Sequence, residues 1–280
     1  MSSADYFVTT EWLAAHLGEP DLAIIDGTFF MPDEGRDAKA EYRACHIPGT
    51  VFFDIDAIAD HSTNLPHMLP SPGQFADAMR KLGINERMHI VVYDASGLFS
   101  APRVWWTLRT FGAKDVKILA GGLPKWKEEG RKLESGEVKR PPQTFAVAFD
   151  SFRVSSAADV LAASQSGSAQ IVDARGALRF LGRVAEPRPG VRSGHIPGST
   201  NVPYRDVIEN GATRAPDEIV DIFTRAGVDL DKPIVTSCGS GVTAAILLLA
   251  LETAGKKDAR LYDGSWSEWG GCKDLPIETG

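Results

Sequence analysis

The chain has 280 residues, 43% of them hydrophobic, a length that suits two domains better than one. A formal net charge of −7 argues against nucleic acid or an anionic membrane surface as the main partner. No apolar run approaches a membrane span, and the N-terminus lacks the basic and apolar stretches of a secretory signal, so we expect a cytoplasmic location.

Elements of the first half alternate between helical patterns and short β-rich runs. The stretch SPGQFADAMRKLG predicts a helix with Ser71 as N-cap, Pro72 at its first position and Gly83 at its end. Gln74 completes a capping box with the N-cap serine. The run HIVVYD at 89–94 has the length and β-branching of a buried central strand.

The second half repeats this alternation. A helical pattern with acids in its first turn begins at Pro216 and ends at Gly227. PIVTS at 233–237 predicts another central strand, and VTAAILLLALETAG at 242–255 predicts a helix buried on all sides, with its last glycine as the C′ residue. Strands alternating with helices predict an α/β fold in which each half has a mostly parallel sheet flanked by helices.

Four stretches of the first half recur in the second half, in the same order and 143 to 149 residues later, which indicates a duplication. The stretch ESGEVKRPPQT is polar and contains prolines, as a linker does. We predict a non-catalytic domain at 1–136, a linker at 137–151 and a catalytic domain at 152–280. The matching stretches begin or end at Ile24 and Ile171, His46 and His195, Ile90 and Ile234, and Trp126 and Trp269.

Cys238 directly follows the second predicted central strand and precedes a helix, at the sheet edge where open α/β sheets bind ligands. Gly239 and Gly241 allow the loop to turn successive N–H groups inward, which would stabilise a thiolate together with the helix N-terminus. The alternative is a buried, inert cysteine, as strand ends often carry. In the first half Asp94 takes the corresponding position, so the repeat itself does not require a cysteine.

A cysteine loop on an α/β fold is also typical of phosphatases, which need an arginine six positions after the cysteine to close around phosphate. Ala244 stands at that position here. The sequence therefore argues against phosphoryl transfer.

The set of motifs GHIPGS, YDASGLFSAPRVWW, EPRPG and CGSGVTA resembles the two-domain sulfurtransferases built from tandem rhodanese domains, over nearly the whole chain. CGSGVTA resembles the branch that uses 3-mercaptopyruvate, because the thiosulfate branch has a basic pair where Gly239 and Ser240 stand. The resemblance implies that Cys238 attacks the donor sulfur, releases pyruvate and holds a persulfide. Gly239, Gly241, Val242 and Thr243 would form the amide cradle. A thiol, cyanide or a thioredoxin-like protein would accept the sulfur.

Mercaptopyruvate is a small anion, so its site requires guanidinium groups, which bind planar carboxylates bidentately. Five arginines follow the strand that contains Ile171, and the residues alone do not choose among them. The resemblance assigns substrate binding to Arg179 and Arg188, and Arg175 is expected to brace loops. The five are Arg175, Arg179, Arg183, Arg188 and Arg192.

The reaction leaves a pyruvate enolate that must gain a proton, which an oriented imidazole would supply. The resemblance assigns this relay to Ser240, His67 and Asp56, and so predicts an active site between the domains. By themselves, Asp56 reads as a loop acid and His67 as an exposed loop histidine. His67 has no counterpart in the second half, whereas His46 and His195 recur and are expected to serve the fold.

Other residues are expected to have structural or no special roles. Trp105 and Trp106 are predicted to pack between the domains, and Cys45 and Cys272 to be inert thiols. Two alternatives to the main interpretation are a thiosulfate sulfurtransferase and a non-catalytic rhodanese-like binding module. The three cysteines form no CxxC pair and no His/Cys ligand spacing, so the sequence predicts no disulfide framework, no metal and no cofactor.

Overall fold

The computed structural model describes residues 6–280. Residues 1–5, which begin the predicted first domain and the stretch judged to lack a secretory signal, lie outside the described residues. The fold consists of two five-stranded sheets, each covered by helices on both sides.

The first sheet has the strand order β1-β5-β4-β2-β3, and every pairing in it is parallel. Helices connect its strands, as parallel neighbours require. Its strands are β1 (Phe7–Val8), β2 (Leu22–Asp26), β3 (Thr50–Phe52), β4 (His89–Tyr93) and β5 (Asp115–Leu119), and its helices are α1 (Thr10–His16), α2 (Ala38–Ala44), α3 (Pro72–Leu82), α4 (Ala101–Thr110) and α5 (Gly122–Glu128).

The second sheet has the strand order β6-β12-β11-β7-β8 and is again parallel throughout. A two-stranded antiparallel hairpin, β9–β10, follows β8. The strands are β6 (Val154–Ser155), β7 (Gln170–Asp173), β8 (Thr200–Asn201), β9 (Ile208–Glu209), β10 (Ala212–Thr213), β11 (Ile234–Ser237) and β12 (Arg260–Tyr262), and the helices are α6 (Ala157–Ser166), α7 (Ala177–Phe180), α8 (Pro216–Arg225), α9 (Ala244–Thr253) and α10 (Ser265–Trp269).

The two sheets correspond strand for strand, which confirms the predicted α/β class and the duplication. The predicted strands β4 and β11 lie at the centres of their sheets and are buried. Helix α3 has the predicted capping box at Ser71 and ends at Gly83 in the left-handed conformation. Helix α9 is buried at every position but begins two residues later than its apolar pattern, because the residues before Ala244 belong to the cysteine loop.

Helices α4 and α9, which occupy corresponding places in the two halves, pack against each other. Trp105 and Trp106 of α4 are fully buried, as predicted. Arg109 in α4 forms an ion pair with the buried Glu252 of α9 at 2.6 Å. One apolar cluster runs through this contact from the first sheet to the second, so the halves share a core.

Residues 137–150 contain no helix or strand and lie along the first half. The N–H of Ala148 donates to Phe111 O, and the N–H of Asp150 donates to Thr110 O. Phe145 packs edge-on against Phe75. A 3₁₀ turn over 151–153 then leads into β6.

Each half extends one segment over the other. The segment after β3 lies against the loop after β12, where the N–H of Leu69 donates to Asp263 Oδ2 at 2.8 Å. The β9–β10 hairpin lies against the loop after β5, where the N–H of Gly121 donates to Gly211 O at 2.9 Å. Within residues 6–280, no helix is long and apolar enough to cross a bilayer.

Candidate active site

Cys238 lies at the carboxyl end of β11, and 2% of its surface is exposed. The N–H of Gly241 donates to Cys238 Sγ at 3.1 Å. The backbone of Cys238 is fixed on both sides, because its N–H donates to Ser265 Oγ at 3.2 Å and its carbonyl accepts from Trp266 N–H at 2.9 Å. Gly241 has a φ of +79°, the left-handed region that favours glycine.

The loop after the thiol retains free donors. Among residues 6–280, nothing accepts a hydrogen bond from the amides of Ser240, Val242 or Thr243. Thr243 is the N-cap of α9, so the positive end of a fully buried helix lies a few residues beyond the sulfur. This arrangement suits an anion in the loop.

Arg179 lies against the loop at Gly239. A Cβ at that glycine would be 3.0 Å from Arg179 Nη2, so a larger residue there would require the guanidinium to shift. Arg179 also pairs with Glu186 at 2.5 Å. Glu186 is shared with Arg175, which in turn pairs with Asp173 at 2.7 Å and donates to Gly194 O. Arg175 thus braces the loops, as predicted.

Arg188 is half-buried and forms no ion pair with a carboxylate among the described residues. Its Nη2 lies 3.4 Å from His67 Nε2. Burial lowers the pKa of Arg188, and the charge that opposes this most strongly is that of Cys238. The guanidinium is therefore close enough to the sulfur for the two charges to interact, and it is free to bind a carboxylate.

His67 is buried, with 6% of its surface exposed, and its φ is +61°. Its Nδ1 lies 2.8 Å from Asp56 Oδ1, although the contact is not aligned along the N–H direction. The pKa of Asp56 lies below its usual value, first because of hydrogen bonding to His67 and further because of the positive charge of Arg188. A guanidinium can only donate, so the Arg188 contact favours Nε2 of His67 as an acceptor, while Nδ1 lies beside Asp56.

The structure thus brings together most of the residues singled out from the sequence. Five of them lie together where the two halves face each other: Cys238, Arg179, Arg188, His67 and Asp56. Ser240 is buried beside them, with 5% of its surface exposed, but no hydrogen bond joins it to His67 in the described part of the chain. Of the expected Ser–His–Asp relay, only His67 and Asp56 are therefore in contact in the structure.

The recurring histidines lie elsewhere. His46 Nδ1 contacts Tyr42 O at 2.7 Å, and His195 Nδ1 contacts Phe180 O at 2.8 Å. Each also forms a backbone bridge to a distant glutamate of its own half, His46 to Glu134 and His195 to Glu278. These contacts support the predicted role in the fold.

Sequence reasoning missed Arg103 and Asp263, which connect the halves beside the site. Both are nearly fully buried, and Arg103 Nη2 lies 2.7 Å from Asp263 Oδ1. A signal was present, because Arg103 is a charged residue in the otherwise apolar start of α4 and a charge buried in such a setting needs a partner.

Comparison with known proteins identifies the class of protein to which the chain belongs. The family model described as "Rhodanese-like domain" matches residues 9–129 and 156–272, one match in each half. The 3-mercaptopyruvate sulfurtransferase of Escherichia coli K12 is 52% identical over 277 residues, which cover 99% of both chains. The thiosulfate/3-mercaptopyruvate sulfurtransferase 1 (mitochondrial) of Arabidopsis thaliana is 42% identical over all of this chain and 79% of its own.

Among solved structures, SseA from Escherichia coli, described as a 3-mercaptopyruvate sulfotransferase with the rhodanese fold, superimposes with a TM-score of 0.87. It is 50% identical, and the match covers 93% of this chain and 98% of that one. The chain therefore belongs to the rhodanese family, as a tandem-domain sulfurtransferase of the 3-mercaptopyruvate branch.

All three thiols, Cys45, Cys238 and Cys272, are free. Within residues 6–280, no three or more His, Cys, Asp or Glu side chains lie close enough to hold a metal ion.

Proposed function

We propose that the chain moves the sulfur of 3-mercaptopyruvate through a persulfide on Cys238 to a thiol acceptor and releases pyruvate. The observation that carries this is the position of Cys238 Sγ, which accepts the Gly241 N–H at the N-terminal end of α9. Arg188, which has no carboxylate partner among residues 6–280, lies close by. A nucleophile, an anion cradle and a carboxylate receptor are the parts that this reaction needs.

Arg188 would bind the donor carboxylate, because it is a half-buried guanidinium that has no carboxylate partner among the described residues. Arg179 is held by Glu186 against Gly239 and would add a second positive charge beside the loop. A donor bound in this way would place its sulfur next to Sγ and its carbonyl group toward the arginines.

In the first step the Cys238 thiolate attacks the donor sulfur. An S–S bond forms, the C–S bond breaks, and its electron pair stays on the donor carbon as pyruvate enolate. The enzyme then carries a persulfide on Cys238, and the amides of the loop would hold its outer sulfur as an anion. No oxidant or reductant takes part.

His67 would manage the protons of this step. With Nδ1 beside Asp56, it would present Nε2 as the base that takes the proton of the donor thiol and returns it to the enolate carbon. Asp56 stabilises the imidazolium that forms in between. Ser240, which lacks a bond to His67, would join the relay only by contacting the donor.

In the second step a thiol, cyanide or a thioredoxin-like protein attacks the outer sulfur, breaks the S–S bond and leaves the Cys238 thiolate ready for another donor. We assign the reaction to the cytoplasm, since a reducing compartment suits three free thiols.

Steady-state turnover with 3-mercaptopyruvate and with thiosulfate, with a thiol and with cyanide as acceptors, tests this for wild type and Cys238→Ser. We expect pyruvate release to favour mercaptopyruvate and to vanish in the variant. Equal turnover in the variant would contradict the role of Cys238, and no turnover of either donor by the wild type would favour a non-catalytic binding module.

Thiosulfate is the second candidate donor, because the plant relative is named for both donors. The doubly charged thiosulfate needs more positive charge beside the sulfur than Gly239 and Ser240 supply. The double variant Gly239→Arg, Ser240→Lys should raise the ratio of thiosulfate to mercaptopyruvate turnover about tenfold. The longer side chain introduced at Gly239 would displace Arg179, so Gly239→Ala is the control that separates crowding from charge.

A further inference from the structure

A buried ion pair joins the two halves directly beside the reactive sulfur. Arg103 of α4 and Asp263, which follows β12, have 2% and 4% of their surfaces exposed. Arg103 Nη2 lies 2.7 Å from Asp263 Oδ1. A desolvated pair of this kind adds little stability by itself, so its position calls for another explanation.

The guanidinium of Arg103 reaches two backbone carbonyls on opposite sides of the site. Nη2 donates to the carbonyl of His67, and Nη1 donates to the carbonyl of Gly241 at 3.4 Å. His67 belongs to the first half and Gly241 to the second. One planar side chain therefore fixes the backbone of both the proposed base and the residue whose N–H contacts Cys238 Sγ.

Asp263 completes the hold on the histidine segment. Its Oδ2 accepts the N–H of Leu69 at 2.8 Å, two residues beyond His67. His67 has a φ of +61°, a conformation that persists in a non-glycine residue only where the surroundings impose it. The contacts to its own carbonyl and to the Leu69 amide supply that constraint.

The cysteine loop is shaped around the same pair. A Cβ at Gly241 would lie 2.7 Å from Arg103 Nη1 and 2.9 Å from Asp263 O. The glycine therefore permits the close approach of Arg103 as well as its own positive φ.

We propose that Arg103 and Asp263 are positioning residues that set the relative placement of His67 and the Cys238 loop across the domain interface. The inference rests on the proposed function, in which His67 moves protons and the Gly241 N–H stabilises the sulfur anion. Neither residue needs to touch the donor. The pair acts by holding two peptide segments that different halves supply.

The test compares Arg103→Met and Arg103→Lys with Arg109→Met. Arg109 lies on the same helix and also pairs across the interface, with Glu252, but it contacts neither His67 nor Gly241. It therefore controls for the loss of an interdomain ion pair. Three quantities are measured: kcat and KM for 3-mercaptopyruvate, the midpoint of thermal unfolding, and the pH dependence of Cys238 alkylation by iodoacetamide in a Cys45→Ser, Cys272→Ser background.

We expect Arg103→Met to lower kcat about 100-fold with a much smaller change in KM, because the reacting groups are misplaced while the donor arginines stay. The pH at half-maximal alkylation should rise by about one, as the thiolate loses the placed Gly241 amide. Arg103→Lys should recover part of the lost kcat and part of the change in the pH at half-maximal alkylation. Arg109→Met should lower the unfolding midpoint and leave kcat and the alkylation profile as in the wild type.

Similar kcat values for Arg103→Met and Arg109→Met, or an alkylation midpoint that does not move, would overturn the proposal. If Arg103→Met does not fold, Asp263→Asn replaces it, with the same expected directions and smaller size. The alkylation profile needs no donor. A wild type without turnover would therefore refute the proposed function while the profile still decides whether Arg103 positions the loop.

Discussion

The loops after β4 and β11 occupy the same place in the two halves but hold different anions. In both, the carbonyl of the first residue after the strand accepts an N–H from the helix that follows the neighbouring strand. Leu123 of α5 donates to Asp94 O at 3.0 Å, and Trp266 of α10 donates to Cys238 O at 2.9 Å. The Asp94 carboxylate, fully buried, accepts four amides of its own loop, from Ser96, Phe99, Ser100 and Ala101 at 2.7 to 2.9 Å.

The Cys238 sulfur accepts one amide, from Gly241, and other amides of its loop stay free among the described residues. The backbone is therefore an anion cradle in both halves. In the first half a side chain of the chain itself fills it permanently, and in the second it is left for a thiolate and the sulfur added to it. Filling the first cradle produces rigidity, and leaving the second one open permits chemistry.

The substitution that tests this difference most directly is Cys238→Asp, which places a carboxylate in the second loop, as Asp94 does in the first. The carboxylate should occupy the cradle and abolish sulfur transfer, at least about a thousand-fold. Turnover assays measure the loss, and thermal unfolding should show a midpoint equal to or above that of wild type. A lower midpoint would mean that the second loop is not shaped for a carboxylate.

Asp94→Cys makes the opposite exchange. Four backbone amides, two of them buried, lose a charged acceptor, so the free energy of unfolding should fall by about 3 kcal/mol, measured by urea denaturation. Activity per folded molecule should stay the same. Asp33→Asn, an exposed acid of the same half, is the control and should have no effect on stability. A stability loss equal to that of the control would show that the Asp94 contacts carry little energy.

Substitution of Arg188, the arginine proposed to bind the donor carboxylate, should have the next largest effect. Arg188→Met should lower kcat/KM for 3-mercaptopyruvate about 100-fold, because a half-buried guanidinium that binds a carboxylate contributes strongly. Arg183→Met, on the same segment but exposed, should leave kcat/KM unchanged. Equal losses in the two variants would indicate a general electrostatic attraction of the donor in place of a specific contact.

The neighbouring strands β2 and β7, which end at Asp26 and Asp173, differ as well. Asp173 is paired with Arg175, whereas the corresponding Asp26 has no ion-pair partner among residues 6–280 and accepts the N–H of Thr28 at 2.9 Å. Burial raises the pKa of Asp26 to about 6 from 3.8. The folded state then binds this proton more tightly, so its stabilising contribution is complete below pH 3.8 and is lost as the pH rises through 6.

The free energy of unfolding of Asp26→Asn, taken relative to that of wild type, should accordingly rise by about 2 kcal/mol from pH 4 to pH 8. Denaturant unfolding at each pH measures it. Asp173→Asn is the matched control, and it should destabilise at both pH values because it removes a partner from the buried Arg175. A difference between Asp26→Asn and wild type that does not change with pH would refute the raised pKa.

The sequence predicted those features that depend on local pattern or on the repeat. The capping box at Ser71, the two central strands and the equivalence of Asp94 and Cys238 all follow from residues close in sequence or from the duplication. The bracing role of Arg175 was also predictable from its place directly after a strand. These features need no knowledge of how the halves meet.

The predictions were weakest where residues of both halves meet. A histidine in a proline-rich loop is usually exposed, but His67 is buried because Arg103 holds its carbonyl and Arg188, far along the chain, lies against its ring. The choice of Arg188 among five arginines depends on which of them lies against His67 and near Cys238. No local pattern encodes such contacts, since they arise from packing between distant segments.

The packing of α4 on α9 has a consequence for the history of the duplication. Helix α9 is apolar on all sides, so a half released on its own would expose a large apolar surface and aggregate. It would also lose the segment that the other half extends over it. Neither copy can be deleted without harming the other. Both copies of the duplicated unit are therefore needed, and the half with Asp94 in place of the cysteine acts as a permanent internal subunit of the other.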